Sequence, residues 1–543
     1  MSANSTTPSP AAPVSAFAPL RQRVFAVLWA ATIIGNIGSF MRDVASAWLV
    51  TDLSGAPAAV ALVQAAATLP VFLLAIPAGV LSDILDRRRF LIAIQILLGL
   101  TSLSLMLLAQ TGLLSVPALV GLTFLGGVGA ALMAPTWQAI VPELVSGREL
   151  KSAVALNSLG INIARAIGPA LGGLILAGFG AAMTYGADVL SYVIVIAALF
   201  WWQRAAGADD ALSERFTGAF RAGLRYARAS RELHVVLLRA AIFFACASAV
   251  WALLPLVARN LLGGGASFYG VLLGAVGAGA IGGAFLLPRL RARFDADALL
   301  LLSAVASAAV MAALAFGPPQ WLAVVILLVL GLAWIVALTT LNGVAQSILP
   351  NWVRGRALAV YLTVFNGAMT AGSLGWGAVA EAAGLRGTLL IGAGALLAAG
   401  IVMHRVRLPA GEADLAPSNH WPEPLVAAPV EHDRGPVLIL IEYRVPASER
   451  ESFLRSIHAL SAERRRDGAY GWGITEDTAD PEKLVEWFMV SSWAEHLRQH
   501  KRVSKADADL QKELARFHAG PEGPVVRHFL HIEPPGAASS RSP

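Results

Sequence analysis

Twelve long apolar runs dominate this sequence and limit what the chain can fold into. Each run has about twenty residues or more, and at about 1.5 Å of rise per residue a helix of that length crosses the hydrocarbon of a bilayer. The runs are continuously apolar instead of alternating, which favours helices over a β-barrel. The predicted spans are 24–50, 58–81, 90–110, 116–139, 152–177, 182–202, 238–260, 267–288, 298–317, 321–345, 358–381 and 387–406.

The composition agrees with a membrane protein. Hydrophobic residues make up 56% of the chain and charged residues 14%, and the mean hydropathy is +0.64. These values lie far from those of an ordinary soluble chain. The single cysteine, Cys246, excludes an intramolecular disulfide and a cysteine metal cluster. We predict no cofactor and no metal site.

A thirteen-residue stretch occurs twice. Gln138–Leu150 reads QAIVPELVSGREL, and 208 positions later Gln346–Leu358 reads QSILPNWVRGRAL, with seven identical places. Each copy lies between two apolar runs, so the repeat predicts two homologous halves of six helices each.

Basic residues are concentrated in the connections on one side of the predicted bundle. With the amino terminus inside, only Arg259 and Arg386 fall in predicted external loops. This asymmetry predicts that both termini are cytoplasmic and requires an even number of crossings. Basic loops beside anionic lipid also account for the net charge of +6, so no nucleic-acid partner is predicted.

The polar connection after the sixth run contains RFTGAFRAGLRYARA, whose helical spacing of apolar residues beside arginines predicts an amphipathic interfacial helix. The predicted layout is a disordered tail (1–20), a first half (21–203), a cytoplasmic linker with that helix (204–237), a second half (238–407), a Pro-rich linker (408–435), a cytoplasmic domain (436–533) and a tail (534–543).

The loop between the second and third runs reads GVLSDILDRRR. With the six-plus-six organisation, it resembles the major facilitator superfamily of secondary transporters, which implies an all-α membrane fold of twelve helices in two halves. Gly79, Asp83, Arg87 and Arg88 match the family's loop signature, while Asp86 stands where the family has glycine.

This resemblance implies a conformational latch in the loop. Gly79 would allow close helix approach, and Asp83 would pair with Arg87 and Arg88 in one state and release them in the other. The alternative is that the arginines only follow the positive-inside rule beside an incidental carboxylate. In the second half, Leu287 replaces the aspartate.

The fifth run carries a second family-like pattern. Gly168, Pro169, Gly172 and Gly173 resemble the superfamily's antiporter motif, although Ala164 stands where an earlier motif glycine would be. Small residues allow tight helix packing and proline bends a helix. The pattern favours export over uptake.

Two further stretches resemble a narrower group. PTWQAIVPELVSGREL and NSLGINIARAIGPALGG, within residues 135–173, are similar to the transmembrane secretion effectors, which include siderophore exporters. The resemblance implies a bacterial inner-membrane exporter driven by proton antiport and leaves the exported molecule open.

Ionisable residues inside the predicted spans are functional candidates, because a charge at bilayer depth needs a cavity or a partner. They are Arg42, Asp43, Arg165 and Asp188. Arg42 and Asp43 are adjacent and point about 100° apart on a helix, so we expect that they do not simply neutralise one another. We predict proton coupling at Asp43, with Arg42 or Arg165 attracting an anionic substrate group. The alternative places all four near the external headgroups or in structural pairs.

Uncharged polar residues could complete a central cavity with an aromatic wall. The first-half candidates are Asn36, Gln64, Gln138, Asn157 and Asn162 with Trp137, and the second-half counterparts are Asn342, Gln346 and Asn366. Gln138 and Gln346 are better explained as structural, because their repetition at a loop edge in both halves indicates a hinge and not a ligand site.

Residues 436–533 have the strand and helix signals of a soluble domain, in the order strand (437–445), helix (447–467), strand (470–476), strand (483–490), helix (493–502), helix (506–518) and strand (525–532). This order is ferredoxin-like and α+β.

The domain resembles the antibiotic-biosynthesis monooxygenase type of dimeric α/β barrel, notably at SSWAEHLRQHKR. Trp472, Trp493, His496 and His500 could line a pocket, yet no positioned acid–base set is visible. Histidines on a charged helix are commonly solvated, so we favour a regulatory or dimerising domain that would form a homodimer over an oxygenase.

The sequence therefore predicts a secondary active transporter, not an enzyme, that exports a siderophore-like or drug-like molecule by proton antiport with alternating access. Its partners would be the substrate, protons and the lipid bilayer. One alternative is a transporter fused to a cofactor-less monooxygenase or ligand-sensing module for the same molecule, and another is an inactive scaffold or receptor on a transporter fold.

Overall fold

The computed structural model describes residue 15 and residues 17–203, 216–350, 352–409 and 434–532, with 418, 426, 427, 430 and 431 between the last two segments. Most of the predicted amino-terminal tail, the predicted carboxyl-terminal tail, the first part of the central linker and most of the Pro-rich linker lie outside the described residues. The predicted disorder of the amino-terminal tail does not extend over residues 18–20, which form part of a 3₁₀ turn.

Ten helices in the described part of the chain are long and apolar enough to cross a membrane. They are α1 (Arg23–Leu53), α2 (Pro57–Ile84), α3 (Arg87–Gln110), α4 (Val116–Leu144), α5 (Leu150–Trp201), α7 (Arg231–Leu256), α8 (Ala266–Arg291), α9 (Ala296–Ala315), α10 (Gln320–Ser347) and α11 (Arg354–His404). A 3₁₀ turn at Ala18–Arg21 precedes α1, and a π-helical turn at Val257–Leu261 follows α7.

Two of these helices, α5 with 52 residues and α11 with 51, are each about twice as long as one crossing requires. Each is interrupted by a glycine with positive φ, Gly180 at 81° and Gly384 at 70°. Glycine adopts this left-handed backbone without a steric penalty, so the helix can break at one residue. Both breaks fall between predicted spans, and they lie 204 positions apart, as expected for a repeat.

Glycines bring α5 into backbone contact with α1 and α8. A Cβ atom on Gly172 would lie 2.8 Å from the Met41 Cα, and one on Gly173 would lie 2.7 Å from the Gly270 Cα. Real Cβ atoms do not approach other atoms this closely, so only glycine fits. The glycines predicted to pack helix 5 therefore lie at its closest contacts, one on each neighbour.

The contact between α2 and α11 differs along its length. A Cβ on Gly377 would lie 2.5 Å from the Ala61 Cβ, and the Thr68 and Thr370 hydroxyls are 2.7 Å apart. Towards the other end of α2, a Cβ on Gly79 would meet no atom within 4 Å. The described residues therefore show no close contact at Gly79 in this conformation, and the predicted helix approach there stays a prediction.

The carboxyl-terminal domain contains a four-stranded antiparallel sheet. Its strands are β1 (Val437–Arg444), β2 (Gly471–Glu476), β3 (Lys483–Val490) and β4 (Val525–Leu530), in the order β2-β3-β1-β4. Three helices connect them, α12 (Arg450–Asp467), α13 (Trp493–Arg502) and α14 (Lys505–Ala515). The sequence predicts these elements to within a few residues.

Strand alternation decides which face of the sheet the helices cover. Val437, Ile439 and Ile441 of β1 are buried in one cluster with Phe453 and Ile457 of α12. The intervening residues of β1 are only half-buried, so the second face of the sheet is left without a helix layer of the domain.

The predicted central helix is present as α6 (Phe216–Ala229) and belongs to one compact unit with residues 342–361 and the carboxyl-terminal domain. Tyr226 of α6 is 2% exposed and packs edge-on to Trp352 with ring centroids 5.9 Å apart. The Arg225 guanidinium binds the Glu495 carboxylate at 2.8 Å. The prediction that α6 lies at a lipid surface is therefore corrected for this end of the helix, where Tyr226 packs against protein.

Replacing Gly173 with leucine should weaken the packing of α5 on α8. The added side chain would overlap the Gly270 backbone, at a cost of about 1–3 kcal/mol of folding free energy. Thermal unfolding of the purified protein in detergent, followed by tryptophan fluorescence, measures the effect. Gly178→Leu is the control, because nothing lies within 4 Å of a Cβ at that position, and equal melting temperatures for the two variants would contradict the packing argument.

Candidate functional site

A cavity of about 270 Å³ lies within the first half, between α1, α3, α4 and α5. Its wall is mainly apolar and aromatic, with a few polar groups. The lining residues are Trp29, Thr32, Ile33, Asn36, Ser39, Phe40, Arg42, Asp43, Leu98, Ala130, Met133, Ala134, Trp137, Asn157, Gly160, Ile161 and Tyr192. Five sequence candidates, Asn36, Arg42, Asp43, Trp137 and Asn157, are therefore brought together.

Arg42 forms the centre of a charged cluster beside this cavity. Its Nη2 lies 3.1 Å from Asp43 Oδ1, and its Nη1 lies 3.7 Å from Asp188 Oδ2. The expectation that Arg42 and Asp43 do not neutralise one another is wrong. Although their Cβ atoms diverge, the long arginine side chain folds back to reach the neighbouring carboxylate.

The two carboxylates differ strongly in their exposure. The Asp188 side chain is fully buried, whereas the Asp43 side chain is 55% exposed towards the cavity. Ser102 donates a hydrogen bond to Asp188 Oδ2 at 2.6 Å, which helps to hold its charge. A Cβ on Gly38 would lie 2.6 Å from Asp188 Oδ1, so a glycine is needed there for the carboxylate to fit. Asp188 thus lies in a buried ion pair with Arg42, which agrees with the structural-pair alternative for these ionisable residues.

Tyrosines missed in the sequence complete the cluster. The Arg42 Nη1 donates to the Tyr192 hydroxyl at 3.0 Å, and that hydroxyl lies 2.9 Å from Ser39 Oγ. The Tyr185 hydroxyl lies 3.1 Å from Ser46 Oγ. Tyr185, Asp188 and Tyr192 are spaced by three and four residues, which places them on one helix face. That spacing was the signal available in the sequence.

Three other candidates lie outside this cavity. The Asn162 amide donates to the Ser158 carbonyl at 2.8 Å within its own helix, and Gln64 on α2 is half-buried. Arg165 is also half-buried, with no hydrogen-bond or ion-pair partner among the described residues. Its backbone lies at the α5–α8 contact, because a Cβ on Gly277 would be 3.1 Å from the Arg165 carbonyl oxygen.

The polar side chains of the second-half candidates form hydrogen bonds with one another or with the backbone of their own helix. Gln346 donates to the Asn342 side chain, and the Asn366 amide donates to the Leu362 carbonyl at 2.9 Å.

The arginines of the loop between α2 and α3 bind groups on α4 and α5. Arg87 Nη1 lies 2.6 Å from Glu143 Oε1, a partner that the sequence did not reveal. Arg88 donates to the carbonyls of Leu199 and Phe200, both at 2.9 Å. Asp86 accepts from the backbone N–H of Arg89 as the cap of α3. The Asp83 side chain lies outside the described residues, so the latch stays a prediction.

An ion pair joins the two halves at the carboxyl-terminal end of α1. Arg259, assigned in the sequence only to an external loop, binds Asp52 at the end of α1 and the Thr51 hydroxyl at 2.9 Å. Its Cζ lies 5.8 Å from the centre of the Trp48 ring, which packs near Tyr269.

In the carboxyl-terminal domain, Trp493, His496 and His500 lie together and Trp472 does not. The Trp472 indole donates to Glu486 Oε1 at 2.9 Å on the far side of the domain core. The expectation that the histidines are solvated is wrong for His496, which is 1% exposed because its face of α13 packs on the sheet. A third histidine, His528 of β4, joins the group.

Comparison with known proteins identifies the family. The profile described as transmembrane secretion effector matches residues 14–536. The chain is 28% identical over 387 residues to the multidrug efflux pump Tap of Mycolicibacterium fortuitum, covering 69% of this chain and 93% of the pump.

Two siderophore transporters match over shorter lengths. The enterobactin exporter EntS of Salmonella typhimurium is 29% identical over 48% of this chain and 62% of the exporter. The staphyloferrin A transporter of Staphylococcus aureus is 29% identical over 30% of this chain and 41% of that protein.

Solved structures give the same fold at low identity. A nucleoside transporter, NupG, superposes with a TM-score of 0.61 at 13% identity over 70% of this chain and 99% of NupG. A D-xylose–proton symporter gives a TM-score of 0.57 at 16% identity, over 72% of this chain and 99% of the symporter. These matches are all transporters, in agreement with the prediction of a transporter and not an enzyme. The chain belongs to the transmembrane secretion effector family of major facilitator transporters.

Proposed function

We propose that this protein exports a small organic molecule across the bacterial inner membrane in exchange for protons, by alternating access between two six-helix halves. The ten long helices supply twelve crossings when α5 and α11 are each counted as two at their glycine breaks. An even number of crossings and the basic loops on one side support the proposal that both termini are cytoplasmic.

The observation that carries the proposal is the Arg42 cluster. Two carboxylates share one guanidinium, so the group keeps one negative charge that a proton can neutralise. Asp188 is sealed from water and held by Ser102, whereas Asp43 faces the cavity. Proton binding at Asp43 would leave the Arg42–Asp188 pair intact, and proton loss would restore the negative charge.

The packing of the helices supports the export direction in this proposal. Contacts between the halves are close where Arg259 meets Asp52 and where Gly377 meets Ala61, and there is open space around Gly79. Gly79 borders the basic loop assigned to the cytoplasm. This conformation would therefore admit substrate from the cytoplasm, as an exporter requires. The printed roles of the efflux and siderophore relatives agree with this direction.

The cavity chemistry suits an organic molecule with an aromatic or apolar body and an anionic group. Trp29, Phe40 and Trp137 offer apolar surface, and the polar groups are few. The anionic group is assigned to Arg165, which lies outside the cavity at the α5–α8 contact and has no hydrogen-bond or ion-pair partner among the described residues, so the substrate would have to extend from the cavity to that contact. Siderophore-like and drug-like molecules both meet this description.

A homodimer through the carboxyl-terminal domain is part of the proposal. The sheet face that the helices leave uncovered carries apolar residues side by side, since Leu438 pairs with both Met489 and Phe529 and Leu440 pairs with Trp487. A second copy of the same face would cover this surface by two-fold symmetry.

Asp43→Asn should uncouple transport from the proton gradient. Inverted membrane vesicles, tested across a panel of siderophores and drugs, should accumulate substrate at least tenfold more slowly, because the exchangeable charge is gone. Substrate counterflow, which needs no gradient, should persist. Glu381→Gln removes an exposed carboxylate of α11 and is the control. Gradient-driven transport with unchanged pH dependence in Asp43→Asn would refute the assignment.

Arg165→Gln should weaken transport of anionic substrates selectively. A hydrogen bond to a charged group contributes about 1.5–3 kcal/mol, so the KM for a carboxylate-bearing substrate should rise about 10- to 100-fold. The KM for a neutral substrate should change little. Arg165→Lys should restore part of the affinity, and an equal effect on neutral and anionic substrates would argue against a charge contact.

Leu440→Glu combined with Met489→Glu should convert a dimer into a monomer. The added carboxylates would lie inside the proposed interface without partners. Light scattering of the purified full chain in detergent reports the mass. Lys512→Glu on α14 should leave the dimer intact, and a monomeric wild-type protein would rule out this interface.

A further inference from the structure

Three histidines of the carboxyl-terminal domain converge although they come from different elements. His496 and His500 are four residues apart on α13, and His528 lies on β4, where it pairs with Ile439 of β1. One ring nitrogen from each histidine lies within 4.8 Å of the others. The His496 ring centre is 4.6 Å from that of His500 and 4.6 Å from that of His528.

Burial of His496, at the centre of this group, costs free energy because its polar ring nitrogens are removed from water. It is 1% exposed, and neither ring nitrogen has a hydrogen bond of normal geometry. The neighbouring Gln499 is also 1% exposed, and its side-chain nitrogen and oxygen likewise lack hydrogen bonds of normal geometry. A buried polar atom without a partner costs about 1–3 kcal/mol. Among the described residues, His496 and Gln499 therefore lie side by side in the core without a hydrogen bond of normal geometry.

Two of the three histidines have lowered pKa values. Burial, and then the neighbouring His500 and His528, lowers the pKa of His496 to about 3. Burial also lowers the pKa of His528. Imidazole nitrogens bind metal ions in their neutral form.

We propose that His496, His500 and His528 bind a late first-row divalent metal ion, for which Zn²⁺ is the natural probe, with a fourth coordination position open to water. Imidazole nitrogens suit Zn²⁺, Co²⁺, Ni²⁺ and Cu²⁺ better than Mg²⁺ or Ca²⁺, which prefer oxygen ligands. The candidate ligand atoms of these three histidines, all in the described part of the chain, are ring nitrogens.

The geometry needs only a modest adjustment. Zn–N bonds of about 2.0–2.1 Å in a tetrahedral site place the ligand nitrogens about 3.4 Å apart. Histidines spaced by four residues on a helix already point to the same side, as in helical zinc sites. His528 is half-buried on an edge strand, where its ring has room to turn. Arg464, which opposes positive charge at His496, is ion-paired with Glu486 at 3.1 Å.

The proposed site adjoins the contacts of the domain with α6 and residues 342–361. Glu495, next to His496, binds Arg225 of α6, and the Arg502 guanidinium lies 4.4 Å above the centre of the Trp352 ring. An ion that joins α13 to β4 would therefore stiffen the helix that makes these contacts.

The test is metal binding by the untagged full chain, purified in detergent and stripped with a chelator. Zn²⁺ should bind with one ion per chain, measured by calorimetry and by metal analysis after dialysis, and should raise the melting temperature. Co²⁺ should give the intense visible absorption of a four-coordinate site. His500→Gln and His528→Gln change the less buried ligands, and each should weaken binding at least tenfold.

His458→Ala is the matched control, because this histidine lies on α12 beside Trp472 and away from the group. It should leave the affinity and the Co²⁺ spectrum unchanged. Tryptophan fluorescence establishes that each variant is folded. Absence of stoichiometric binding, or binding that survives both glutamine substitutions, would overturn the proposal and leave the histidines as a packing cluster. Neither result bears on export by the membrane helices.

Discussion

A guanidinium enclosed by membrane helices must find negative charge and hydrogen-bond acceptors, and Arg42 imposes this constraint on the first half. Removing such a charge from water costs several kcal/mol unless partners replace the solvent. Asp43, Asp188 and the Tyr192 hydroxyl supply them. The second span of α5 must therefore lie against α1, and Gly38 must lack a side chain to let Asp188 approach. The same requirement that organises the packing also leaves one carboxylate at a water-accessible cavity.

The membrane helices could be predicted from the sequence because bilayer thickness fixes their length and hydrocarbon fixes their composition. The strands of the carboxyl-terminal domain followed from alternation for a similar reason. The site could be predicted only in part. Adjacency on a helix describes where Cβ atoms point, and it says little about a long side chain such as Arg42. His528 was missed because its relation to His496 depends on the order of strands in the sheet, which local patterns do not encode.

Hydropathy patterns also cannot tell which apolar surface a helix will meet. The α6 sequence has the helical periodicity of apolar and basic residues that is typical of a membrane-surface helix. In the structure, however, Tyr226 packs against Trp352 and Arg225 binds Glu495. An apolar stripe flanked by arginines suits an acidic protein surface as well as an anionic lipid surface. Similarly, a Cβ on Gly79 would meet no described atom within 4 Å, while a Cβ on Gly283, which aligns with Gly79 when Leu287 is aligned with Asp83, would lie 2.6 Å from Ile335 Cγ2. Equivalent glycines thus have different neighbours in the two halves.

The break at Gly180 joins two parts of α5 that have different tasks. The part before it holds Gly173 against α8, and the part after it holds Asp188 and Tyr192 against Arg42. Only one residue separates the two helical segments, so there is no slack through which one could tilt without pulling the other. In the proposed mechanism, a separation of α5 from α8 would move the ion cluster, and a change of charge in the cluster would act on that contact. A single glycine would then connect proton binding at a carboxylate with the opening of a transport path.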